Sequence, residues 1–207
     1  MIRKASFVFL FLLILPLIGY SAEEVIFEEP FCKELRDGWS WLREVPEDWR
    51  ITDEALEIKM EPLPQEGARN ILFRTPPKKA DGPFVVTVEL KAVQPYSNQY
   101  QQAGLYWMQG GEVKFKFVLE IIDEELYVFP GKKPLEAEHV VIRLRIDGTQ
   151  VIAEYQPNAT GEFLKALEAT LPERNDETDQ ISLQCWHGPA KAESWTRFQR
   201  FSITKPE

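Results

Sequence analysis

The amino-acid sequence predicts an all-β protein, folded as a two-sheet antiparallel β-sandwich. Three segments alternate apolar and polar residues with a period of two, the pattern of strands with one buried face. They are residues 84–90, 113–119 and 140–146. Turn-forming pairs such as Pro130-Gly131 and Asp147-Gly148 separate the segments. About a dozen short strands do not fit one flat sheet, so two packed sheets are the economical architecture.

The remaining segments fit the same architecture. Further strands are predicted at residues 25–31, 49–51, 56–60, 70–74, 102–108, 126–129, 150–155, 180–186 and 196–203. Asp147-Gly148 lies between two strand-like runs and predicts a tight hairpin. Only residues 162–169 are predicted to be helical, because Phe163 and Leu167 would share one apolar side.

The N-terminus has the features of a signal peptide. Arg3 and Lys4 precede an apolar run over residues 7–18, and the small residues Gly19 and Ser21 suit a cleavage site before position 22. The run is shorter than the ~20 residues of a membrane-spanning helix, although an uncleaved anchor stays open. We therefore expect a signal peptide at residues 1–21 and one domain at residues 22–207. That domain would be secreted or periplasmic and free of the membrane.

The charge balance limits the partners. The chain has 24 basic and 33 acidic residues, a net charge of −9, and removal of Arg3 and Lys4 leaves 22 against 33, or −11. Phosphate binding needs a basic surface, so nucleic acid is not an expected partner. A neutral ligand such as a glycan is compatible with this charge. The oligomeric state does not follow from the sequence.

Two cysteines allow one disulfide. An exported protein meets an oxidising environment, so we predict a bond between Cys32 and Cys185. The alternative, two free buried thiols, stays open because the sequence does not give the distance between the two residues.

Catalytic and metal motifs have little support. The only histidines are His139 and His187, and no Gly-x-Ser-x-Gly turn accompanies them. Cys185 and His187 would share a strand face, but zinc takes three or four ligands. We therefore expect no metal and no cofactor.

Paired carboxylates are the remaining catalytic possibility. Glu120 and Asp123 are three residues apart, so they would point to opposite faces of a continuous strand. A retaining glycosidase holds its two carboxyl groups ~5 Å apart. This spacing argues against catalysis, and a glycosidase is kept as an alternative.

A polar sheet face is the strongest candidate site. If the apolar residues of each strand fill the core, their neighbours line the outer surface. We assign six of these neighbours as ligand-binding candidates: Gln102, Tyr106, Lys116, Glu120, Arg143 and Arg145. The arginines and Glu120 would bind hydroxyl groups, with Tyr106 as an apolar platform. Charge pairing without a ligand is the alternative reading of the same set.

Several motifs resemble one family in their order along the chain. They are Phe31-Cys32, Trp39-Ser40-Trp41, residues 70–74, Gln101-Gln102-Ala103-Gly104-Leu105, Lys116 to Glu120, Ile142 to Arg145, and Phe198 to Ile203. Together they resemble concanavalin A-like jelly-roll domains of unknown function, some labelled "regulation of enolase"-like, which are related to the C-terminal domain of β-xylosidases. The resemblance implies a jelly-roll sandwich with a concave face and no established catalysis. The chain departs from it at residues 156–163, where the usual hairpin is replaced.

The sequence therefore predicts an exported, noncatalytic binding domain whose ligand is a carbohydrate. Two other classes stay open: an enzyme of the same fold, and a structural or protein-interaction domain without a small ligand. An enolase-regulating role is hard to reconcile with export, because enolase is a cytoplasmic enzyme in its metabolic role.

Overall fold

A computed structural model describes residues 24–62, 67–136 and 138–206. The predicted signal peptide at residues 1–21 lies outside the described residues. The described part of the chain forms fifteen strands in two antiparallel sheets, with two short 3-10 turns at Pro46–Asp48 and Lys79–Asp81. The predicted all-β sandwich is thereby confirmed. No helix of these described segments is long and apolar enough to span a bilayer.

The larger sheet has eight strands. They are β1 (Val25–Glu29), β3 (Trp49–Thr52), β4 (Ala55–Lys59), β6 (Phe84–Ala92), β11 (His139–Asp147), β12 (Gln150–Pro157), β13 (Leu164–Thr170) and β15 (Trp195–Thr204). Their order is β13-β12-β11-β6-β15-β4-β3, and β1 also pairs with β15. Asp147 pairs with Gln150 across a two-residue turn, so the predicted hairpin at Asp147-Gly148 is confirmed.

The smaller sheet has seven strands. They are β2 (Ser40–Leu42), β5 (Ile71–Arg74), β7 (Gln102–Gln109), β8 (Glu112–Ile122), β9 (Glu125–Phe129), β10 (Lys133–Pro134) and β14 (Asp179–Trp186). Their order is β10-β9-β8-β7-β14-β5-β2. The central strand β7 therefore pairs along its whole length with β8 on one side and β14 on the other.

The core lies between the sheets and is built by alternation. Leu105 and Phe117 of the seven-stranded sheet and Val88 and Phe198 of the eight-stranded sheet are fully buried in it. Because successive side chains of a strand point to opposite faces, each inward residue places its neighbours on the outer surface. The alternation that builds the core therefore also defines the surface available for a ligand.

The segment predicted to be helical is a strand. Leu164–Thr170 forms β13, the edge strand beside β12, with Val151 opposite Ala169 and Ala153 opposite Leu167. A run of seven residues has too few apolar positions to separate a period of 3.6 from a period of 2. The neighbouring strand supplies the backbone partners that decide the conformation.

One buried ion pair holds the turn before β14. Arg174 Nε donates to Asp179 Oδ2 at 2.8 Å, and the two side chains are 2% and 0% exposed. Asp179 also accepts from Gln109 Nε2 and from the Asn175 backbone N–H. Arg174 donates further to the Pro77 carbonyl at 2.7 Å. The pair thus ties the loop after β5 and the end of β7 to the start of β14.

Replacement of Asp179 by alanine should lower the free energy of unfolding by about 3–5 kcal/mol, because it leaves the Arg174 charge buried without its partner. Urea denaturation followed by tryptophan fluorescence measures the loss. Glu168→Ala, which breaks an exposed ion pair with Lys165, is the matched control and should change stability far less. Equal effects of the two substitutions would contradict the structural role of the buried pair.

The predicted disulfide is wrong. Cys32 and Cys185 are both free, and they occupy different environments. Cys32 is exposed in the loop after β1, whereas Cys185 faces the core from β14 with its Sγ 3.9 Å from the Ile58 carbonyl oxygen. Burial raises the pKa of the Cys185 thiol, which therefore stays protonated and unreactive at neutral pH.

Iodoacetamide should alkylate one thiol of the native protein, Cys32, because Cys185 is buried. Both should react after unfolding in guanidinium, without any reductant. Mass spectrometry of the labelled protein counts the modified sites. Cys32→Ser should leave no reactive thiol in the native state. Labelling that requires a reductant in the unfolded protein would show that the two cysteines are bonded after all.

Candidate functional site

Four of the six predicted binding residues meet on the outer face of the seven-stranded sheet. Register places Gln102 opposite Glu120 and Tyr106 opposite Lys116 on the neighbouring strands β7 and β8. Their chain neighbours Ala103 and Leu105 face the core, so the four side chains point away from it. The structure thus brings these four side chains together on one face, and their role in binding stays a prediction.

Gln102 connects the other three. Its Nε2 donates to Glu120 Oε1 at 3.0 Å and to the Tyr100 carbonyl at 3.1 Å. Its Oε1 accepts from Lys116 Nζ at 2.7 Å and from the Tyr106 hydroxyl at 3.1 Å. A carboxamide has two donor hydrogens and two acceptor lone pairs, so these four bonds use its full capacity. Gln102 therefore positions its neighbours and has no group left for a ligand.

Lys116 and Glu120 form a second link of the network. Lys116 Nζ lies 3.0 Å from Glu120 Oε2, and the side chains are 28% and 6% exposed. The ammonium also lies 4.8 Å from the centre of the Phe129 ring, which adds a cation–π contact. Glu120 is thus a buried counter-ion, and Lys116 is the more exposed partner of the pair.

Tyr106 is held as a neutral phenol. Burial raises its pKa well above the usual value, and the nearby Cys185 and Glu120 add to the effect. The hydroxyl donates its only hydrogen to Gln102, so its oxygen is left as an acceptor.

A cavity of about 330 Å³ opens beside this network. Its lining includes Gln102, Tyr106, Lys116, Gln184, Trp186 and Arg43. Trp186 lies directly opposite Gln102 on β14 and is half-buried. Gln184 donates to Ser182 Oγ at 2.8 Å, which fixes its carboxamide on the same face. The volume is that of a small-molecule pocket.

Sequence reasoning missed Trp186, Gln184 and Arg43. The alternation of β14 carried a usable signal for two of them, because Leu183 and Cys185 are core residues and their neighbours Gln184 and Trp186 must face outward. No comparable signal exists for Arg43. It lies just after β2 with a positive φ of 52°, and only the folded chain brings it to the cavity.

Arg143 and Arg145 do not belong to this face, so the prediction that all six candidates share one surface is wrong on this point. Both lie on β11, which pairs with β6 and β12 in the eight-stranded sheet. Arg143 Nε donates to Glu154 Oε2 at 2.7 Å, and its guanidinium lies 3.7 Å from the Phe163 ring centre. Alternation gives the face of a strand but not the sheet to which the strand belongs.

Glu120 and Asp123, the two carboxylates considered for catalysis, lie on different elements, β8 and the turn that follows it. Strand β8 ends at Ile122, and both Asp123 and Glu124 adopt positive φ in the following turn. None of the described residues lining the cavity is an aspartate or a glutamate. A search of the same described residues for three or more clustered His, Cys, Asp or Glu side chains finds no metal-binding group.

The two strands of the network lie unusually close at Gly104. A Cβ atom at this position would come within 2.4 Å of the Phe117 carbonyl oxygen and 2.7 Å of Val118 Cα. Only glycine therefore allows β7 and β8 to approach here. Gly104 lies between Gln102 and Tyr106 along β7. The sheet surface between these two side chains therefore carries no side chain.

A double-mutant cycle of Lys116→Met and Glu120→Gln should give a coupling energy of about 1–2 kcal/mol, because the pair is largely shielded from water and shares Gln102. Urea denaturation of the four proteins measures it. The exposed pair Lys79–Glu173 is the matched control and should show a coupling close to zero. A similarly small coupling for Lys116 and Glu120 would contradict a preorganised network.

The fold and site define a two-sheet antiparallel β-sandwich with a polar cavity on the outer face of one sheet. Solved structures with this fold include the GH43 protein BlXynB from Bacillus licheniformis, at 14% identity and a TM-score of 0.70 over 86% of this chain and 39% of that one. They also include the xylan β-1,4-xylosidase from Bacillus halodurans C-125, at 14% identity and a TM-score of 0.64 over 92% of this chain and 41% of that one. The chain thus spans about two fifths of the length of these two proteins.

A third structure is matched over nearly its whole length. It is the CBM2 module of the evolved Dit of Lactobacillus casei BL23 phage J-1, at 8% identity and a TM-score of 0.60 over 89% of this chain and 97% of that one. At these identities the likeness shows the fold alone. No family model and no curated protein matches the chain by sequence. The narrower likeness to "regulation of enolase"-like domains stays a prediction.

Proposed function

We propose that this chain is a noncatalytic carbohydrate-binding domain and that the cavity beside Gln102 is its binding site. The observation that carries the proposal is the saturated network in which Gln102 fixes Tyr106, Lys116 and Glu120 before any ligand arrives. Side chains that are already ordered lose little conformational entropy on binding. A fixed set of donors and acceptors is what recognition of sugar hydroxyl groups requires.

Trp186 supplies the apolar part of the site. Sugar rings have apolar C–H faces as well as hydroxyl groups, and a half-buried indole offers a flat, rigid surface for such a face. Lys116 and Tyr106 lie on the same sheet surface and would bind the hydroxyl groups at the ring edge. Small-molecule sites combine apolar walls with a few placed polar groups in this way.

Known proteins of the same fold support this choice. The similar structures include glycoside hydrolase family 43 proteins and a module named CBM2. A catalytic role has less support, because a retaining glycosidase needs two carboxylates and none of the described residues lining the cavity carries one. The secreted or periplasmic location predicted from residues 1–21 would expose the domain to extracellular glycans.

Trp186→Ala should weaken binding to a polysaccharide at least about tenfold, because it removes the platform and its buried apolar area. Affinity electrophoresis on a panel of xylan, arabinan, β-glucan, mannan and pectin measures it. Phe163→Ala, which removes a half-buried ring that lies just before β13 and packs on Arg143 of the eight-stranded sheet, is the matched control and should bind like the wild type. Both variants should keep the wild-type thermal midpoint within a few degrees.

The same samples separate binding from catalysis. Release of reducing sugar that disappears in Glu120→Gln would replace the proposal by a glycosidase. Binding lost in Phe163→Ala and kept in Trp186→Ala would move the site to the eight-stranded sheet. Failure to bind any polysaccharide of the panel would favour a structural or protein-interaction role.

A further inference from the structure

The charged side chains among the described lining residues of the cavity are of one sign. They are Lys116 and Arg43, and both are cations. None of the described lining residues carries a carboxylate. This arrangement is unexpected in a chain whose net charge is −9, because a surface sampled at random would present acidic groups more often than basic ones.

Lys116 presents an unused donor to the cavity. Two of its three ammonium hydrogens are taken by Gln102 and Glu120, and its side chain is 28% exposed. Its counter-ion Glu120 is only 6% exposed. A ligand approaching from solvent therefore meets the side chain of Lys116 before that of Glu120. The third N–H is the donor left for that ligand.

Arg43 is anchored through Nε, and none of the described carboxylates pairs with the Nη end of its guanidinium. Its Nε donates to the Ala68 carbonyl at 2.6 Å, and its own carbonyl accepts from the Asn70 N–H at 3.0 Å. Nη2 lies 3.6 Å from the position that a Cβ atom would take at Gly67, so the guanidinium lies beside this glycine. A guanidinium with its stem fixed is suited to bidentate recognition of a carboxylate.

The overall negative charge does not prevent such recognition. The Debye length at physiological ionic strength is about 8 Å, so acidic groups farther from the cavity are largely screened. Within that range the two lining cations act directly on a bound group, and Glu120, 3.0 Å from Lys116, offsets the charge of one of them. The net negative charge of the chain slows the association of an acidic ligand, but it does not remove the contacts with Arg43 and Lys116.

We propose that the ligand is an acidic glycan, whose carboxylate is bound by Arg43 and Lys116. The inference rests on the proposed carbohydrate-binding function and specifies its substrate class. Arg43 would take the carboxylate in two parallel hydrogen bonds, and Lys116 would supply the third donor. Trp186 and Tyr106 would contact the sugar ring that carries the group.

The test compares each acidic polymer with its own carboxyl-reduced form, which has the same backbone and linkage without the charge. The probes are polygalacturonate, alginate, glucuronoxylan and hyaluronan, measured by isothermal titration calorimetry with the neutral polymers arabinan, β-glucan and mannan alongside. At least one acidic polymer should bind about tenfold more tightly than its reduced form, as expected for charge-assisted hydrogen bonds. That advantage should shrink as sodium chloride rises from about 0.05 M to 0.5 M.

Arg43→Gln should lower the affinity for the preferred acidic polymer about tenfold. Arg145→Gln makes the same change of net charge on the opposite sheet and should leave that affinity unchanged, and thermal melting checks that both variants are folded. Reduced polymers that bind as tightly as their acidic parents, or an Arg43→Gln protein that binds like the wild type, would overturn the inference. Binding to neutral glycans alone would also overturn it while the proposed function stands. Failure to bind any acidic or neutral glycan would overturn both the inference and the proposed carbohydrate-binding function.

Discussion

The four hydrogen bonds of Gln102 are the interaction on which the candidate site depends. They join Lys116, Glu120 and Tyr106 on two adjacent strands and fix each of them at a defined place. Gln102 occupies this position because β7 is the central strand of its sheet, with β8 on one side and β14 on the other. The pairing that builds the sheet also places Trp186 next to the network.

The two outer faces of the sandwich differ in how their charged side chains are paired. On the eight-stranded sheet, the buried Glu57 is bound by both Arg50 and Arg197, and Arg143 is paired with Glu154. Asp53 lies 3.8 Å from Arg197 as well, so three carboxylates balance the three guanidinium groups. On the seven-stranded sheet, Lys116 is more exposed than its counter-ion Glu120, and Lys116 lines the cavity. This contrast is why the proposed ligand site lies on the smaller sheet.

Much of the fold and part of the site could be predicted from the sequence. Alternation identified the strands and the outward positions of Gln102, Tyr106, Lys116 and Glu120, because both are local properties of the chain. It failed for Arg143 and Arg145, because the assignment of a strand to one of two sheets depends on pairing between distant segments. The predicted disulfide between Cys32 and Cys185 is wrong for a related reason, because a spacing along the chain does not give the distance between two residues in space.

Arg43 and strand β13 could not be predicted from local sequence patterns either. Arg43 reaches the cavity through a left-handed turn after β2 and an anchor on Ala68, neither of which a hydrophobic pattern encodes. The helix expected at residues 162–169 became β13 because β12 offered it a partner. Predictions from the sequence were right where periodicity decides the structure, and wrong where the neighbour across the sheet decides it.

The proposed function depends on a ligand that binds on the outer face of the seven-stranded sheet. NMR titration of the labelled protein with a bound oligosaccharide tests it directly, because the tryptophan indole signals and the backbone amides report each face separately. We expect shifts of the Trp186 indole and of amides in β7, β8 and β14, with Trp41, Trp49 and Trp107 unmoved. Shifts concentrated on β11 and β12 around Arg143 and Arg145 would contradict it.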